Sequence, residues 1–347
     1  MSEIPQLFRS EQALRGAFVE GLQQMLANHR GLGVFILVLA NAIYDESIHR
    51  RLHEVLRERF EQLARHMRET LRAGRPLADA PDDVLVFLKL MAVGLEDQEL
   101  TRVRREGPFE LQFNPLRAYR PPRMSDVAVT RVYQAYDPSG FHFNRPFLQK
   151  EILWSGEIGH RQCRLLYNKF PFAELHGLLV MEAEDNKPQW LTHADHAAVW
   201  HIAGLLGHHL PGVGFGYNAY GAFASVNHQH LQMFVRSGGG YPVEAGQWRH
   251  NGGAHSYPLA CHVYGEPDAA WEHIQRLHES NNAYNLLYRP GKLYLLPRRF
   301  QGSYAHAGWT SGFAWSEVAG GITTFNREDF DSLDAVAIVA ELEKLRL

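Results

Sequence analysis

Three polar side chains, His228, His230 and Gln232, recur at every second position of an otherwise apolar segment. The residues around them are rich in aromatic and β-branched types and follow a glycine-rich turn, which predicts a strand over residues 226–235. Successive side chains of a strand point to opposite faces, so the three polar groups are expected on one face. Two imidazoles and an amide are costly in a dry core, so this polar row indicates a functional site.

The row has the chemistry needed to handle phosphate. A neutral imidazole is a competent nucleophile toward phosphorus when a fixed acceptor holds its other nitrogen as N–H. A neighbouring histidine and a glutamine can donate hydrogen bonds to phosphate oxygens as charge develops in the transition state. Small residues just upstream would let a bulky anion approach the backbone. They are Gly221, Ala222, Ala224 and Ser225.

These residues also carry a family resemblance. The pattern N-x-x-G-x-x-x-S-x-N-H-x-H-x-Q, from Asn218 to Gln232, resembles the active-site strand of the histidine triad superfamily. Its H-x-H-x-Q ending is similar to the branch that contains galactose-1-phosphate uridylyltransferase, diadenosine tetraphosphate phosphorylase and the GDP-hexose phosphorylases. The stretches ELQFNPLRAYRPP, FHFNRP and YNKFPFAELHGLLVM resemble the same branch, and YNLLYRPGKLYLLPRR is a weaker match. The resemblance covers residues 109–299 in the right order, and the first hundred residues lie outside it.

The resemblance implies double displacement at phosphorus. His230 would attack the α-phosphorus of a nucleoside diphosphate sugar, with a GDP-hexose as the leading substrate. A sugar 1-phosphate would leave, and phosphate or another acceptor would remove the nucleotide from His230. Phosphorolysis of diadenosine tetraphosphate and hexose-1-phosphate uridylyl transfer are alternatives within the branch. A nucleotide-binding protein without turnover is an alternative of another class, although the intact His230 and Gln232 argue against it.

The same resemblance implies a set of site residues. His230, His228 and Gln232 form the expected catalytic group. Asn168 and Lys169 are expected beside the ribose or phosphates of the nucleotide, and Gln112 and Asn114 near its base or ribose. A half-exposed edge strand is the competing explanation for Gln112 and Asn114. The residues expected to line the phosphate cradle are Asn218, Gly221, Ser225 and Asn227.

Composition limits the classes of function. The chain has 347 residues and a formal net charge of −3, so no global basic field recruits nucleic acid. Its two cysteines, Cys163 and Cys261, favour a reducing compartment over a disulfide framework. They also exclude a zinc site built on a C-x-x-C pair. The resembling uridylyltransferase members carry a structural zinc partly bound by a cysteine pair, so this departure favours the phosphorylase members, and we expect no structural zinc and no required cofactor. The N-terminus lacks a signal-peptide pattern, and the apolar segment 32–43 is too short to span a membrane. A cytoplasmic enzyme is expected.

Hydrophobic periodicity predicts an α+β architecture. Residues 1–105 are expected to be a helical region, with helices over 6–29, 45–73 and 80–95, and with segment 32–43 as a buried helix or strand. This region offers no chemistry and is a candidate homodimer interface. The resemblance to the histidine triad superfamily implies that residues 106–236 form the catalytic half, an antiparallel sheet with a helix over 192–209 on one face. Residues 237–347 are expected to be a degenerate duplicate, with a helix over 268–279 and a hairpin, that completes the pocket.

Several other polar residues carry competing interpretations. Arg117, Arg120 and Arg123 follow in a proline-containing loop, where guanidinium groups could meet phosphate but are more often solvated. The pair Arg298 and Arg299 has the same two explanations, with a surface pair favoured. His176 is expected to be structural. The histidines of the 192–209 helix lack carboxylate or cysteine partners at metal-ligand spacing, so we expect solvated or interface histidines there.

Overall fold

The chain begins with a group of packed helices. The structure is a computed structural model, and it describes residues 4–120 and 128–347. The expected N-terminal helices are confirmed, and the segment that sequence left open between helix and strand is helical. Domain boundaries at residues 105 and 236 stay predictions. The helices are α1 (Glu11–Asn28), α2 (Leu32–Tyr44), α3 (Glu46–Arg72), α4 (Pro81–Val93), α5 (Pro115–Tyr119), α6 (His193–Gly207), α7 (Pro267–Glu279), α8 (Trp315–Val318), α9 (Arg327–Ser332) and α10 (Ala335–Glu343).

Local sequence explains why the first helices form. The long helix α3 buries a stripe of apolar side chains at helical spacing, and Asp45 caps it by accepting from the backbone N–H groups of Ser47 and Ile48. Helix α2 is apolar all round because it packs against α1, α3 and α4 at once. Asn41 is the polar exception in α2, and its side chain is buried.

Most strands belong to one large antiparallel sheet. Eight of the described strands pair in the order β3-β4-β5-β7-β6-β9-β10-β8. Helix α6 buries Val199, Ile202 and Leu206 against this sheet, so the α+β class is confirmed. The strands are β1 (Arg102–Glu106), β2 (Phe109–Phe113), β3 (Ile152–Ile158), β4 (Arg161–Tyr167), β5 (Gly177–Met181), β6 (Val213–Asn218), β7 (Leu231–Val235), β8 (His262–Tyr264), β9 (Ala283–Arg289), β10 (Lys292–Arg298) and β11 (Gly321–Thr324).

A second, smaller sheet has the order β1-β2-β11. Strand β2 pairs antiparallel with β1 and parallel with β11, which lies about two hundred residues later in the chain. The expectation of a half-exposed edge strand for residues 110–114 is therefore wrong. Local pattern could not reveal β11 as the second partner, since the pairing is long-range.

The strand that carries the polar row is shorter than expected. Strand β7 begins at Leu231, so of the polar row only Gln232 lies within it. The backbone just before β7 bonds elsewhere: Gln229 N–H donates to the carbonyl of Lys187, and His230 N–H donates to the side chain of Gln189. The prediction of a strand from residue 226 is wrong because these bonds replace the ladder.

Helix α6 begins as the sequence predicts. Thr192 and Asp195 form the expected capping box, with the Thr192 side chain accepting from Asp195 N–H. His193 is largely exposed and stacks on Trp271. His196 is fully buried, and its ring nitrogens contact the Tyr288 hydroxyl at 2.8 Å and the Pro267 carbonyl at 3.0 Å. A solvated or interface role is therefore wrong for His196.

The last third of the chain extends the large sheet. Helix α7 and the hairpin of β9 and β10 lie where the sequence predicts them. Strand β9 pairs with β6, so the site is built on one sheet that both parts of the chain share. A duplicate relationship between the two parts stays a prediction. Among the described residues, none of the helices combines the length and the apolar character that crossing a membrane requires.

One close approach in the sheet yields a stability test. A Cβ added at Gly216 in β6 would overlap the indole ring of Trp315. We expect Gly216→Ala to destabilise the fold by about 1–3 kcal/mol, as overpacking usually does. Gly204→Ala in α6 is the matched control, because its new methyl group meets no atom within 4 Å and alanine favours a helix by about 0.5–1 kcal/mol. Urea unfolding of both variants measures the difference, and equal stability would contradict the packing argument.

Candidate active site

His230 is held as the chemistry of a nucleophile requires. Its Nδ1 lies 2.8 Å from the carbonyl oxygen of His228, so Nδ1 carries the proton and Nε2 keeps its lone pair. The side chain is 5% exposed, and the Phe143 ring lies 5.0 Å away between centroids. Burial lowers the pKa of His230 to about 4. The ring is therefore neutral near pH 7, with one nitrogen available for bond formation.

Gln189 fixes the backbone on which His230 is mounted. Its side-chain oxygen accepts from His230 N–H at 2.9 Å, and its amide group donates to the carbonyls of Asn218 and His230 at 2.9 and 3.2 Å. The Gln189 side chain is 1% exposed, so these bonds are shielded from water. Sequence reasoning missed this residue, because nothing in the stretch before α6 distinguishes a bridging glutamine from a loop glutamine.

Both ring nitrogens of His228 form hydrogen bonds with backbone groups. Its Nδ1 accepts from Phe143 N–H at 3.0 Å, and its other nitrogen bonds to the carbonyl of Ala183. Burial and the nearby His230 lower the pKa of His228 to about 4. The ring thus fixes the segment around Phe143 beside His230. Contact between His228 and a phosphate oxygen would require one of these bonds to break, so that expected role stays a prediction.

Gln232 is oriented by two donors. Its Oε1 accepts from the indole N–H of Trp315 at 2.8 Å, and it also hydrogen-bonds to His176. Because Phe172 N–H donates to His176 Nδ1 at 3.2 Å, the His176 proton is on Nε2, which lies 3.3 Å from Asn168 Nδ2 and within reach of the Gln232 side chain. With its oxygen held, Gln232 has its amide hydrogens left to donate. His176 is structural in the sense predicted, since burial lowers its pKa to about 3 and keeps it neutral.

The residues expected to line the phosphate cradle divide into two kinds. Gly221 has a φ of 84°, which favours glycine, and Ser225 is exposed beside it. Asn218 Oδ1 accepts from Asn285 Nδ2 at 2.7 Å and from Trp315 N–H at 2.8 Å, so its carbonyl is already used. Asn227 accepts from Gln189 N–H and donates to the carbonyls of residues 134 and 135. Roles for all four in binding phosphate stay predictions.

The residues expected to contact the nucleotide lie in or against a loop between β4 and β5, residues 168–174, and bond to protein groups there. Lys169 forms an ion pair with Asp83 at 2.5 Å, and Asn168 accepts from Phe170 N–H at 3.0 Å. Gln112 donates to the carbonyl of Phe172 at 3.3 Å, and Asn114 donates to that of Pro171 at 2.9 Å. The structure brings these four residues together around the 168–174 loop, which directly precedes Leu175 and His176. Their direct contact with a nucleotide stays a prediction.

Two arginines add positive charge near the site, one half-buried and one fully buried. The half-buried Arg117 donates to the Phe170 carbonyl at 2.8 Å and lies over the Phe172 ring at 4.7 Å from the ring centroid. Burial lowers its pKa, and the charge of Glu317 opposes that shift. Arg298 is fully buried and donates to the Phe313 carbonyl and the Tyr304 hydroxyl, so the surface interpretation is wrong for it, whereas Arg299 is exposed. Arg123 lies outside the described residues.

A metal site requires several ligating side chains that lie close together. Within residues 4–120 and 128–347, no group of three or more histidine, cysteine, aspartate or glutamate side chains converges as metal ligands would. Both cysteines are unpaired, with Cys163 buried and Cys261 half-buried. The expected absence of a structural zinc and of a required cofactor stays a prediction.

Comparison with known proteins agrees with the geometry. Residues 90–234, which hold β2, the 168–174 loop and the H-x-H-x-Q segment, match the family described as GDPGP1-like, N-terminal domain. We refer to residues 90–234 as the GDPGP1-like domain, after the family that they match. The resemblance to the branch that includes the GDP-hexose phosphorylases is thereby confirmed. Helices α1 to α3 and most of α4 lie outside the matched residues.

Two curated proteins that match part of this chain are both named as phosphorylases. GDP-D-glucose phosphorylase 1 of Danio rerio is 37% identical over 113 residues, which cover 32% of this chain and 32% of that protein. GDP-L-galactose phosphorylase 1 of Arabidopsis thaliana is 28% identical over 128 residues, covering 32% of this chain and 28% of the relative. The matched stretches thus span about a third of the length of these curated relatives.

Solved structures of one yeast protein also match. The crystal structure of yeast Ap4A phosphorylase Apa2 is 16% identical with a TM-score of 0.48, covering 78% of this chain and 97% of that one. The complex of Apa2 with AMP is 18% identical with a TM-score of 0.49, covering 76% and 95%.

The buried neutral histidines make stability depend on pH. His230, His228 and His196 have pKa values lowered by burial to about 4, below the value near 6.5 of an unfolded chain. The unfolded chain therefore binds more protons, and stability falls as pH decreases from about 6.5 toward 4. We expect His230→Gln to lessen the slope of unfolding free energy against pH in this window by about 1.4 kcal/mol per pH unit. Urea unfolding at pH 7, 6 and 5 measures both slopes, and identical slopes would contradict the shifted pKa of His230.

Proposed function

We propose that the protein is a nucleotidyltransferase of the phosphorylase type that acts on a GDP-hexose through a covalent nucleotidyl-His230 intermediate. One observation carries the proposal: the His228 carbonyl holds the proton of His230 on Nδ1, which leaves a neutral Nε2 lone pair in a dry site. The preceding carbonyl thus supplies the fixed acceptor that a histidine nucleophile needs.

The first step forms an N–P bond. His230 Nε2 attacks the α-phosphorus, and the bond from that phosphorus to the bridging oxygen breaks. Hexose 1-phosphate leaves with the electron pair of the broken bond, and the nucleoside monophosphate remains on His230. The imidazole carries a positive charge in this intermediate, which the Nδ1–H bond to the His228 carbonyl stabilises.

The second step reverses the chemistry with another nucleophile. An oxygen of inorganic phosphate attacks the same phosphorus, the N–P bond breaks, and His230 regains its lone pair. The products over both steps are hexose 1-phosphate and GDP. Gln232 donates to a non-bridging oxygen in both transition states, because Trp315 and His176 hold its carbonyl oxygen away from that position.

The choice of a GDP-hexose over other donors is supported by the relatives of the GDPGP1-like domain. Two of them, from Danio rerio and Arabidopsis thaliana, are named as GDP-glucose and GDP-galactose phosphorylases. The motif S-V-N-H-Q-H-L-Q, residues 225–232, lies in the matched residues and supplies the nucleophile of the proposed reaction.

Trapping the intermediate tests the proposal directly. We expect the intact mass of the wild-type protein to rise by one guanylyl group after mixing with GDP-glucose in the absence of phosphate. His230→Ala is expected to show no rise, whereas His208→Ala, at an exposed position just past α6, behaves as wild type. UDP-glucose and diadenosine tetraphosphate are run in parallel, and an adduct from one of them alone would replace the base and the donor in the proposal. No adduct from any donor, with no turnover when phosphate is added, would leave a nucleotide-binding protein as the better account.

The orientation of Gln232 predicts a graded loss of rate. We expect Gln232→Ala to lower kcat by about 10²-fold with little change in KM, as removal of a transition-state donor does. Trp315→Phe keeps the aromatic ring but removes the indole N–H that fixes Gln232 Oε1, and we expect it to lower kcat by about threefold to tenfold. Steady-state phosphorolysis of GDP-glucose measures both variants. An increase in KM alone would show that Gln232 binds the ground state and the transition state equally.

A further inference from the structure

The helices before residue 90 contact the 168–174 loop at three places. Asn41 in α2 donates from Nδ2 to the carbonyl of Asn168 at 3.0 Å. Asp83 in α4 pairs with Lys169 at 2.5 Å. Arg15 in α1 pairs with Glu174 and with Asp45, the residue that caps α3. The two ends of the loop are therefore held by helices that lie outside the residues matched to the GDPGP1-like family.

The middle of the same loop is held from β2 and α5. Three successive backbone carbonyls, those of residues 170, 171 and 172, accept hydrogen bonds from the side chains of Arg117, Asn114 and Gln112. Together with the contacts of α1, α2 and α4, these bonds reach all but one of the seven residues of the loop. Loops usually tolerate conformational change, so a loop bound along its whole length indicates a demand for fixed geometry.

The presence of an asparagine at position 41 supports a specific role in holding the loop. Helix α2 is otherwise apolar, and a buried amide costs free energy unless it is hydrogen-bonded. The Asn41 side chain is 3% exposed, and its two donor bonds go to the Leu37 carbonyl of its own helix and to Asn168. A leucine would satisfy the packing of α2 but could not hold the loop.

The ion pair between Asp83 and Lys169 is also closely packed against the helices. The side chains of Asp83 and Lys169 are 17% and 28% exposed, so water screens the pair only in part. Gly33 lies against both of them, and a Cβ added there would be 2.6 Å from Asp83 Oδ2. The start of α2 thus has room for the pair only because residue 33 has no side chain.

The loop acts on the site through Phe172 and His176. Phe172 N–H donates to His176 Nδ1, and the Phe172 ring lies against the imidazole at 4.4 Å between centroids. This bond places the His176 proton on Nε2, which lies between Asn168 Nδ2 of the loop, at 3.3 Å, and the side chain of Gln232. If the Phe172 N–H moved away, His176 could adopt the other tautomer, and the Gln232 amide could turn round.

We propose that the N-terminal helices are a positioning element for the transfer step: by holding the 168–174 loop they fix the His176 tautomer and so the direction in which Gln232 donates. The inference rests on the proposed function for its effect on rate, whereas its effect on His176 is independent of that function. Asn41 and Asp83 are positioning residues, because they act through the loop and touch no reacting atom.

A double-mutant cycle separates this role from simple support of the fold. We expect Asn41→Leu to lower kcat for phosphorolysis of GDP-glucose by about fivefold to tenfold, with KM changed less than about twofold. In a Gln232→Ala background the same substitution is expected to change kcat by less than about twofold, because the group it positions is already gone. An equal factor in both backgrounds would overturn the proposal.

A matched pair of carboxylates provides the control. Asp83→Asn removes the charge that holds Lys169, and we expect it to lower kcat as Asn41→Leu does. Asp79→Asn lies in the same region, but Asp79 accepts from Leu32 N–H at 2.8 Å and does not contact the loop. We expect Asp79→Asn to leave kcat at the wild-type value. An equal loss of kcat in both variants would mean that any disturbance of the helices has this effect, and it would overturn the proposal.

A readout without turnover distinguishes failure of this inference from failure of the proposed function. In full-length protein labelled with ¹⁵N-histidine, the His176 shifts are expected to report one tautomer with an unprotonated Nδ1. In Asn41→Leu they are expected to move toward a mixture of tautomers, and amide exchange at Phe172 to accelerate by about tenfold. Unchanged shifts and exchange would overturn the positioning role even in an active enzyme. Changed shifts in a protein without turnover would support the positioning role and contradict only the proposed function.

Discussion

The site depends on the hydrogen bond between His230 Nδ1 and the carbonyl of His228. A ring buried without a partner for its N–H would carry a free-energy cost, and a ring free to change tautomer would present its proton to the phosphate for part of the time. Placing the acceptor two residues upstream ties the ring to its own backbone. The backbone at His228 and His230 must therefore be rigid, and the other hydrogen bonds around it keep it rigid.

Rigidity comes mainly from side-chain amides that bond to backbone groups. Gln189 takes the place of a ladder partner at His230, just before β7 begins. Gln112, Asn114 and Asn41 do the same for the 168–174 loop. A primary amide offers donors and an acceptor without charge, so it can satisfy irregular backbone in a dry site at a lower desolvation cost than an ion.

The elements that hold the catalytic group come from distant parts of the chain. Trp315, at the start of α8, donates to Gln232 and Asn218 at once, and Asn285 in β9 supports Asn218 from the neighbouring strand. Gly216 makes this arrangement possible, because any side chain there would displace the indole. The GDPGP1-like domain therefore carries the proposed nucleophile, His230, while the segments before and after the domain fix the groups around that residue.

Sequence by itself determined most of the regular elements and led to the proposed chemistry. The spacing of His228, His230 and Gln232 predicted the reactive group, and the capping box of α6 and the stripe of α3 located their helices, since these signals are local. Tertiary structure alone decided the tautomers of His228 and His176, the bridging role of Gln189 and the central position of β2. The tautomer of His228, the role of Gln189 and the position of β2 depend on partners distant in the sequence, and the tautomer of His176 depends on the irregular loop at Phe172. Hydrophobic periodicity states which face is buried without stating what will lie against it. The start of β7 was misplaced for the same reason, because the Gln189 amide and the Lys187 carbonyl take the backbone bonds that a longer strand would have used.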